Sequence, residues 1–128
     1  IDHCPQQQIE SQVRFLSGCK QFPEGVNVNT VKILEKDCIQ LKVYERGTGW
    51  THSCGSGACA ATVIALANGW LEGDTITVKQ PGGNLIISWA GSGQPTFLTG
   101  EAHIVYDGSC VTNLLQTSAL PNQAASVV

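Results

Sequence analysis

The residues best equipped for chemistry lie in the run Ser53-Cys54-Gly55-Ser56-Gly57-Ala58-Cys59-Ala60-Ala61. A thiol stands there, followed by small residues, just before an apolar, alanine-rich stretch. Gly57 to Asn68 reads as a helix that Asn68-Gly69 stops. Cys54 therefore falls at a helix N-terminus, where unpaired backbone N–H groups and the positive end of the helix dipole favour a thiolate. The N–H groups of Gly55, Ser56 and Gly57 are placed to hold an anion beside the sulfur. A base next to an anion clamp points to proton transfer on a substrate that carries a carboxylate.

The elements that must position this thiol are legible as patterns. Gln7 to Leu16 has helical character and ends near Gly18, and Phe22-Pro23-Glu24-Gly25 reads as a turn. Val26 to Leu34 and Cys38 to Glu45 read as strands joined by the polar turn Glu35-Lys36-Asp37. The alternation Ile39-Gln40-Leu41-Lys42-Val43-Tyr44-Glu45 marks a half-buried strand that delivers Glu45 to its end. Gly47-Thr48-Gly49 is a loop leading to the thiol segment. The helix beyond it carries Ala60, Ala61, Val63, Ile64, Ala65, Leu66 and Ala67, apolar on nearly every face, and so is expected to be enclosed. Strands Thr75 to Lys79 and Asn84 to Trp89 flank Pro81-Gly82-Gly83, and a further pair, Pro95 to Leu98 and Glu101 to Tyr106, surrounds Thr99-Gly100. The fold class is α+β: a curved, mainly antiparallel, barrel-like sheet wrapped around one buried central helix. It occupies residues 1–110, and 111–128 loses periodicity and reads as a flexible tail.

Composition excludes several functions. The chain has 128 residues and a net charge of −3, with no basic run, so nucleic acid is not expected as a partner. No apolar stretch reaches membrane-spanning length. The six cysteines show no compact framework, so reduced thiols in a cytoplasmic protein are expected rather than disulfides. The sequence begins at Ile1 and contains no methionine, which reads as a piece of a longer product. Cys4, Cys19, Cys38, Cys59 and Cys110 read as small core residues. Cys59 is turned roughly 140° from Cys54 around the helix, which argues against a metal pair. His52 reads as an exposed loop histidine, and His103 as a structural or surface residue in a strand.

Val43-Tyr44-Glu45-Arg46-Gly47-Thr48-Gly49, Cys54-Gly55-Ser56-Gly57-Ala58-Cys59-Ala60, Pro81-Gly82-Gly83, Leu98-Thr99-Gly100 and Tyr106-Asp107-Gly108 form an ordered series. It resembles the C-terminal half of the diaminopimelate epimerases, from His3-Cys4 to about Gly108. The resemblance implies two similar halves, each a sheet around a central helix, with the substrate in the cleft between them. It implies one cysteine from each half, and neither cofactor nor metal. One thiolate removes the α-proton and the other thiol returns a proton to the opposite face. LL-diaminopimelate then becomes the meso form, a precursor of lysine and peptidoglycan.

By this resemblance Cys54 is one of the two thiols, and Gly55 and Ser56 bind the α-carboxylate. Glu45 binds an ammonium group and tunes the thiol, Arg46 faces a carboxylate, and Asn27 is a further substrate ligand. His3 influences the protonation of the thiol. Tyr106 is expected in packing or in a subunit contact, as in the family's dimer. Two positions depart from the family pattern: Ile1 stands where an asparagine is usual, and Trp50 where a glutamate is usual. The resemblance further implies that the chain is inactive without an N-terminal half bearing the second cysteine. Competing readings are an isomerase of the proline racemase or phenazine-pathway type, and a non-catalytic binding or assembly module. A secreted disulfide domain is the most distant alternative.

Overall fold

The alternation in Cys38–Glu45 dictates the architecture. In the computed structural model, which describes residues 4–109, Ile39, Leu41 and Val43 are almost completely buried, while Gln40 and Lys42 are exposed. Side chains one residue apart on a strand point to opposite faces, so one face of this strand builds the core and the other does not. The elements run α1 (Gln6–Ser17), β1 (Val28–Glu35), β2 (Cys38–Glu45), β3 (Gly49–Thr51), α2 (Gly55–Ala67), β4 (Thr75–Gln80), β5 (Gly83–Trp89) and β6 (Thr96–Gly100). The expected tail at 111–128 lies outside the described residues, as do His3 and Cys110.

The strands form one sheet in the order β1-β2-β4-β5-β6. β1 and β2 make a hairpin in the register Val28↔Tyr44 to Ile33↔Ile39. β3 pairs with β2 antiparallel along Val43, Tyr44 and Glu45, and β4 pairs with it in parallel along Cys38, Ile39 and Gln40. The turn that returns the chain as β3 has left-handed backbone at Gly47 (φ 78°) and Gly49 (φ 92°), a conformation open to glycine at no steric cost. The remaining pairings, β4 with β5 and β5 with β6, are antiparallel.

Helix α2 lies on the inward face and touches every strand of that path, so the sheet curls around it. The core joins Ile39, Leu41 and Val43 of β2 to Ala58, Ala61 and Ala65 of α2 and to Ile76, Val78 and Ile87 of β4 and β5. Each fully buried aliphatic side chain contributes on the order of 1.5–3 kcal/mol. Alanines on the buried stripe of α2 let the helix backbone sit close to the strands. Helix α1 lies on the other face. Its Arg14 stacks 5.8 Å from the centre of the Tyr44 ring, and Gln6 and Ile9 face Thr30, Gln40 and Lys42 across a small groove.

The structure departs from the sequence reading in three places. The sheet stays open, because β1 and β6 are the two ends of its path among the described residues. The helix is consequently enclosed on one side only: Ser56, Ala60, Ile64 and Ala67 form an exposed stripe, with Ile64 56% exposed. The expected strand Glu101 to Tyr106 does not form. The ladder of β6 against β5 ends at Leu85↔Gly100, close to the turn where β5 begins, so the chain beyond has no described neighbour to pair with. Alternation alone does not hold a strand without such a partner. Ile104, Val105 and Tyr106 are exposed there.

Candidate active site

Cys54 caps the N-terminus of α2 in an extended conformation, φ −145° and ψ 108°, and its own side chain makes no capping hydrogen bond. The sulfur is thus left for other partners. Its nearest is the hydroxyl of Ser56, with Sγ and Oγ 3.5 Å apart. The thiol is 8% exposed, shielded from bulk water yet at the helix end. The amides of Gly55, Ser56 and Gly57 have no carbonyl one turn earlier to bond.

Gly57 is fixed by its surroundings. A Cβ there would stand 3.0 Å from Val43 Cγ2, 3.1 Å from Asn29 Oδ1 and 3.3 Å from Cys54 Sγ. A methyl group there would force strand, carboxamide or thiol to give way by a few tenths of an ångström. Gly55 is packed more simply, since its Cβ would meet Leu98 Cδ1 of β6 at 2.9 Å.

A cleft of about 460 Å³ opens beside this helix end, lined by Gly25, Val26, Asn27, Asn29, Arg46, Ser56, Gly57 and Ala60. Asn27 and Arg46 are linked directly: Asn27 Oδ1 accepts from the Arg46 backbone N–H at 2.8 Å. The Arg46 guanidinium donates to the Glu24 carbonyl at 2.8 Å, which steers its charge along the cleft rim. Asn27, Arg46 and Ser56 therefore meet around one cavity; Cys54 is not itself among its lining residues, and its sulfur lies behind Ser56, 3.5 Å from that hydroxyl. Glu45 is not among the lining residues. Its carboxylate accepts from the Thr51 hydroxyl at 2.7 Å. Gly55 does not line the cleft either, and His3 is outside the described residues.

The chain belongs to the diaminopimelate epimerase family. The family model for diaminopimelate epimerase matches residues 1–105, most of the chain. Within that family frame, the departure at Trp50 falls on the outer face of the sheet. Trp50 stands opposite Tyr44, with the ring centres 5.5 Å apart and nearly perpendicular, away from the thiol side.

Two polar residues escaped the sequence reading. Asn29 pairs with Val43 in the hairpin and donates through Nδ2 to the Gly57 carbonyl at 3.1 Å, while its buried Oδ1 has no hydrogen-bond partner. Gln80 ends the inward row Ile76, Val78, Gln80 of β4 and bonds to the backbone of Cys54. The signal for both is a polar side chain at an inward position of an otherwise apolar alternation.

The other cysteines take different places. Cys4, Cys19, Cys38, Cys54 and Cys59 are all free thiols. Cys38 starts β2, roughly 23 Å along the strand from Glu45. Cys59 packs against the core, and burial pushes its thiol above the ordinary 9.0, partly offset by a backbone hydrogen bond. His52 is exposed, and His103 sits in an irregular segment with Glu101 3.2 Å away. Among the described residues, no three His, Cys, Asp or Glu side chains gather as metal ligands do, and no helix is long and apolar enough to cross a membrane.

Proposed function

We propose that this chain supplies one thiol of a two-thiol, cofactor-independent epimerase that interconverts LL- and meso-diaminopimelate. The observation that carries the reading is Cys54 Sγ at the start of α2, 3.5 Å from the hydroxyl of Ser56, which lines a cleft together with Asn27 and Arg46. In this mechanism the Cys54 thiolate takes the α-proton from one face of the substrate, or the Cys54 thiol returns one. The free amides at the helix end and the Ser56 hydroxyl hold the α-carboxylate and stabilise the negative charge that develops beside it. Arg46 pairs with a carboxylate at the rim. Glu45 acts through Thr51 unless substrate binding redirects its carboxylate towards an ammonium group.

Inversion needs a second acid on the opposite face of the planar carbanion. Cys59 does not fit that role, being turned into the core. The second thiol is assigned to an N-terminal half, and the two helix ends together close the site against water. Without that half the chain is inactive. The protein is placed in the cytoplasm, where the pathway to lysine and peptidoglycan precursors runs and thiols stay reduced. The exposed Tyr106 is available for a homodimer contact.

The test is α-hydrogen exchange into diaminopimelate in D₂O, with the stereochemistry of the product determined. The chain is assayed alone, with a supplied N-terminal half, and as Cys54→Ala in each setting. Exchange with inversion that needs both halves and vanishes in Cys54→Ala supports the reading. A folded, assembled pair that exchanges nothing removes it, leaving a related substrate or a binding module.

A further inference from the structure

The conformation of Cys54 is imposed from outside its own helix. Gln80 Oε1 accepts from the Cys54 N–H at 2.6 Å, and Gln80 Nε2 donates to the Cys54 carbonyl at 3.1 Å. The chemistry fixes the orientation of this carboxamide: the oxygen must face the N–H and the nitrogen the C=O. The two bonds grip the peptide units on both sides of the Cys54 Cα. An extended residue presents its N–H and C=O on the same side, as in a hydrogen-bonded pair of an antiparallel sheet. The carboxamide takes the place of the missing strand.

We infer that Gln80 is a positioning residue for Cys54, holding it extended as the N-cap of α2 so that its sulfur remains at the helix end and free of capping duty. Cysteine is not among the residues that cap helices well, and here its side chain caps nothing. Something else must stop α2 from winding back over Cys54. A helical Cys54 would turn its N–H and C=O in opposite directions along the axis and carry Sγ away from Ser56. Gln80 opposes this, because its two bonds fit only the extended form. The side chain is 9% exposed at the end of the core row on β4, so the grip is built on a rigid strand and screened from competing water.

An independent contact points the same way. The Gly82 N–H donates to the His52 carbonyl at 2.7 Å, and a Cβ on Gly82 would stand 3.0 Å from that oxygen. The β4–β5 turn thus presses against the backbone just ahead of the thiol. Gln80 and Gly82 together clasp residues 52–54, which join β3 to α2. This role rests on Cys54 being the working thiol, but its test does not.

Amide hydrogen exchange and alkylation read Cys54 directly, without substrate or a companion half. In the unmodified chain the Cys54 amide is expected to be protected, although it precedes the first intrahelical donor. In Gln80→Met, which keeps the length and removes both polar contacts, its exchange rises roughly fivefold, the factor for one hydrogen bond of ordinary strength. Iodoacetamide labelling at Cys54, located by peptide mass, changes in rate by a similar factor, while labelling at Cys59 does not. Gln80→Glu retains the acceptor, so the Cys54 amide stays protected. A Cys54 amide as open as that of Ser53 in the unmodified chain overturns the inference, and this arm needs no variant to fold. So does a folded Gln80→Met with unchanged exchange and labelling. A failed epimerisation assay would leave these results standing.

Discussion

Asn27 and Arg46 are joined by a hydrogen bond of 2.8 Å from the Arg46 backbone N–H to Asn27 Oδ1, which ties the residue just ahead of β1 to the residue just past β2. The bond spans the open end of the hairpin, beyond the last ladder pair Val28↔Tyr44. It makes two residues that resemblance treats as separate substrate ligands into one structural unit. The carbonyl of Asn27 is engaged in this link, and the residue also lines the cleft.

Asn27→Ala is therefore expected to act on shape as well as on contact. Losing an exposed side chain to backbone bond costs about 0.5–1 kcal/mol, read as a lower urea midpoint. Asn27→Asp keeps the acceptor and should recover most of that loss, while lacking the amide donor of asparagine. An Asn27→Ala protein of unchanged stability would show that the bond contributes nothing.

Gly57→Ala and Gly55→Ala should behave differently although both glycines lie in the first turn of α2. Alanine gains about 1 kcal/mol of helix propensity over glycine. At Gly57 the new methyl meets Val43, Asn29 and the Cys54 sulfur at 3.0–3.3 Å, and overpacking of about 1–3 kcal/mol outweighs that gain. At Gly55 it meets only the end of Leu98, which is 45% exposed and free to move. Urea denaturation should rank Gly57→Ala below the parent and Gly55→Ala level with it or above. Labelling of Cys54 should change only in Gly57→Ala.

Ser56→Ala removes the hydroxyl nearest to the sulfur. Ser56 is exposed, so the fold should be unaffected. In the proposed two-half enzyme the turnover rate should fall by roughly a hundredfold, the usual effect of deleting one donor to a developing negative charge. Equal turnover in Ser56→Ala and the parent would remove the hydroxyl from the mechanism.

Cys59 gives a pH dependence whose sign is fixed. Burial raises its folded-state value above 9.0, so between the unfolded and folded values the unfolded chain has lost a proton that the folded chain keeps. Its contribution to stability is whole below the unfolded value and is lost as pH rises through the folded one. The urea midpoint of the parent should fall more than that of Cys59→Ala between pH 8 and pH 10. Parallel falls would contradict the burial of this thiol.

Much of the fold was legible because local pattern and tertiary demand agree. The alternation bounds all eight residues of β2, and the Asn68-Gly69 stop marks the end of α2, whose first turn begins two residues before the expected Gly57. The short β3 has no counterpart in the pattern, where Gly49 closes a loop and Trp50-Thr51 carry no signal, since three residues are too few to show a period and pair only because β2 offers them an edge. The strand expected at Glu101 to Tyr106 failed for the converse reason, having a period but no described edge.

The sequence by itself determined that a cysteine would stand at the start of an apolar helix, with small residues around it and a Tyr-Glu-Arg-Gly strand end ahead of it. These are matters of spacing along one segment, and residue types one or four positions apart encode them. Only the tertiary structure decided that Asn27 bonds Arg46, that Asn29 and Gly57 share space with the sulfur, and that Gln80 holds Cys54 extended. Those partners lie 19 to 28 positions apart along the chain. Hydrogen bonds and steric contacts act over a few ångströms in space, so only the paired strands and the helix packed on them bring such residues within reach.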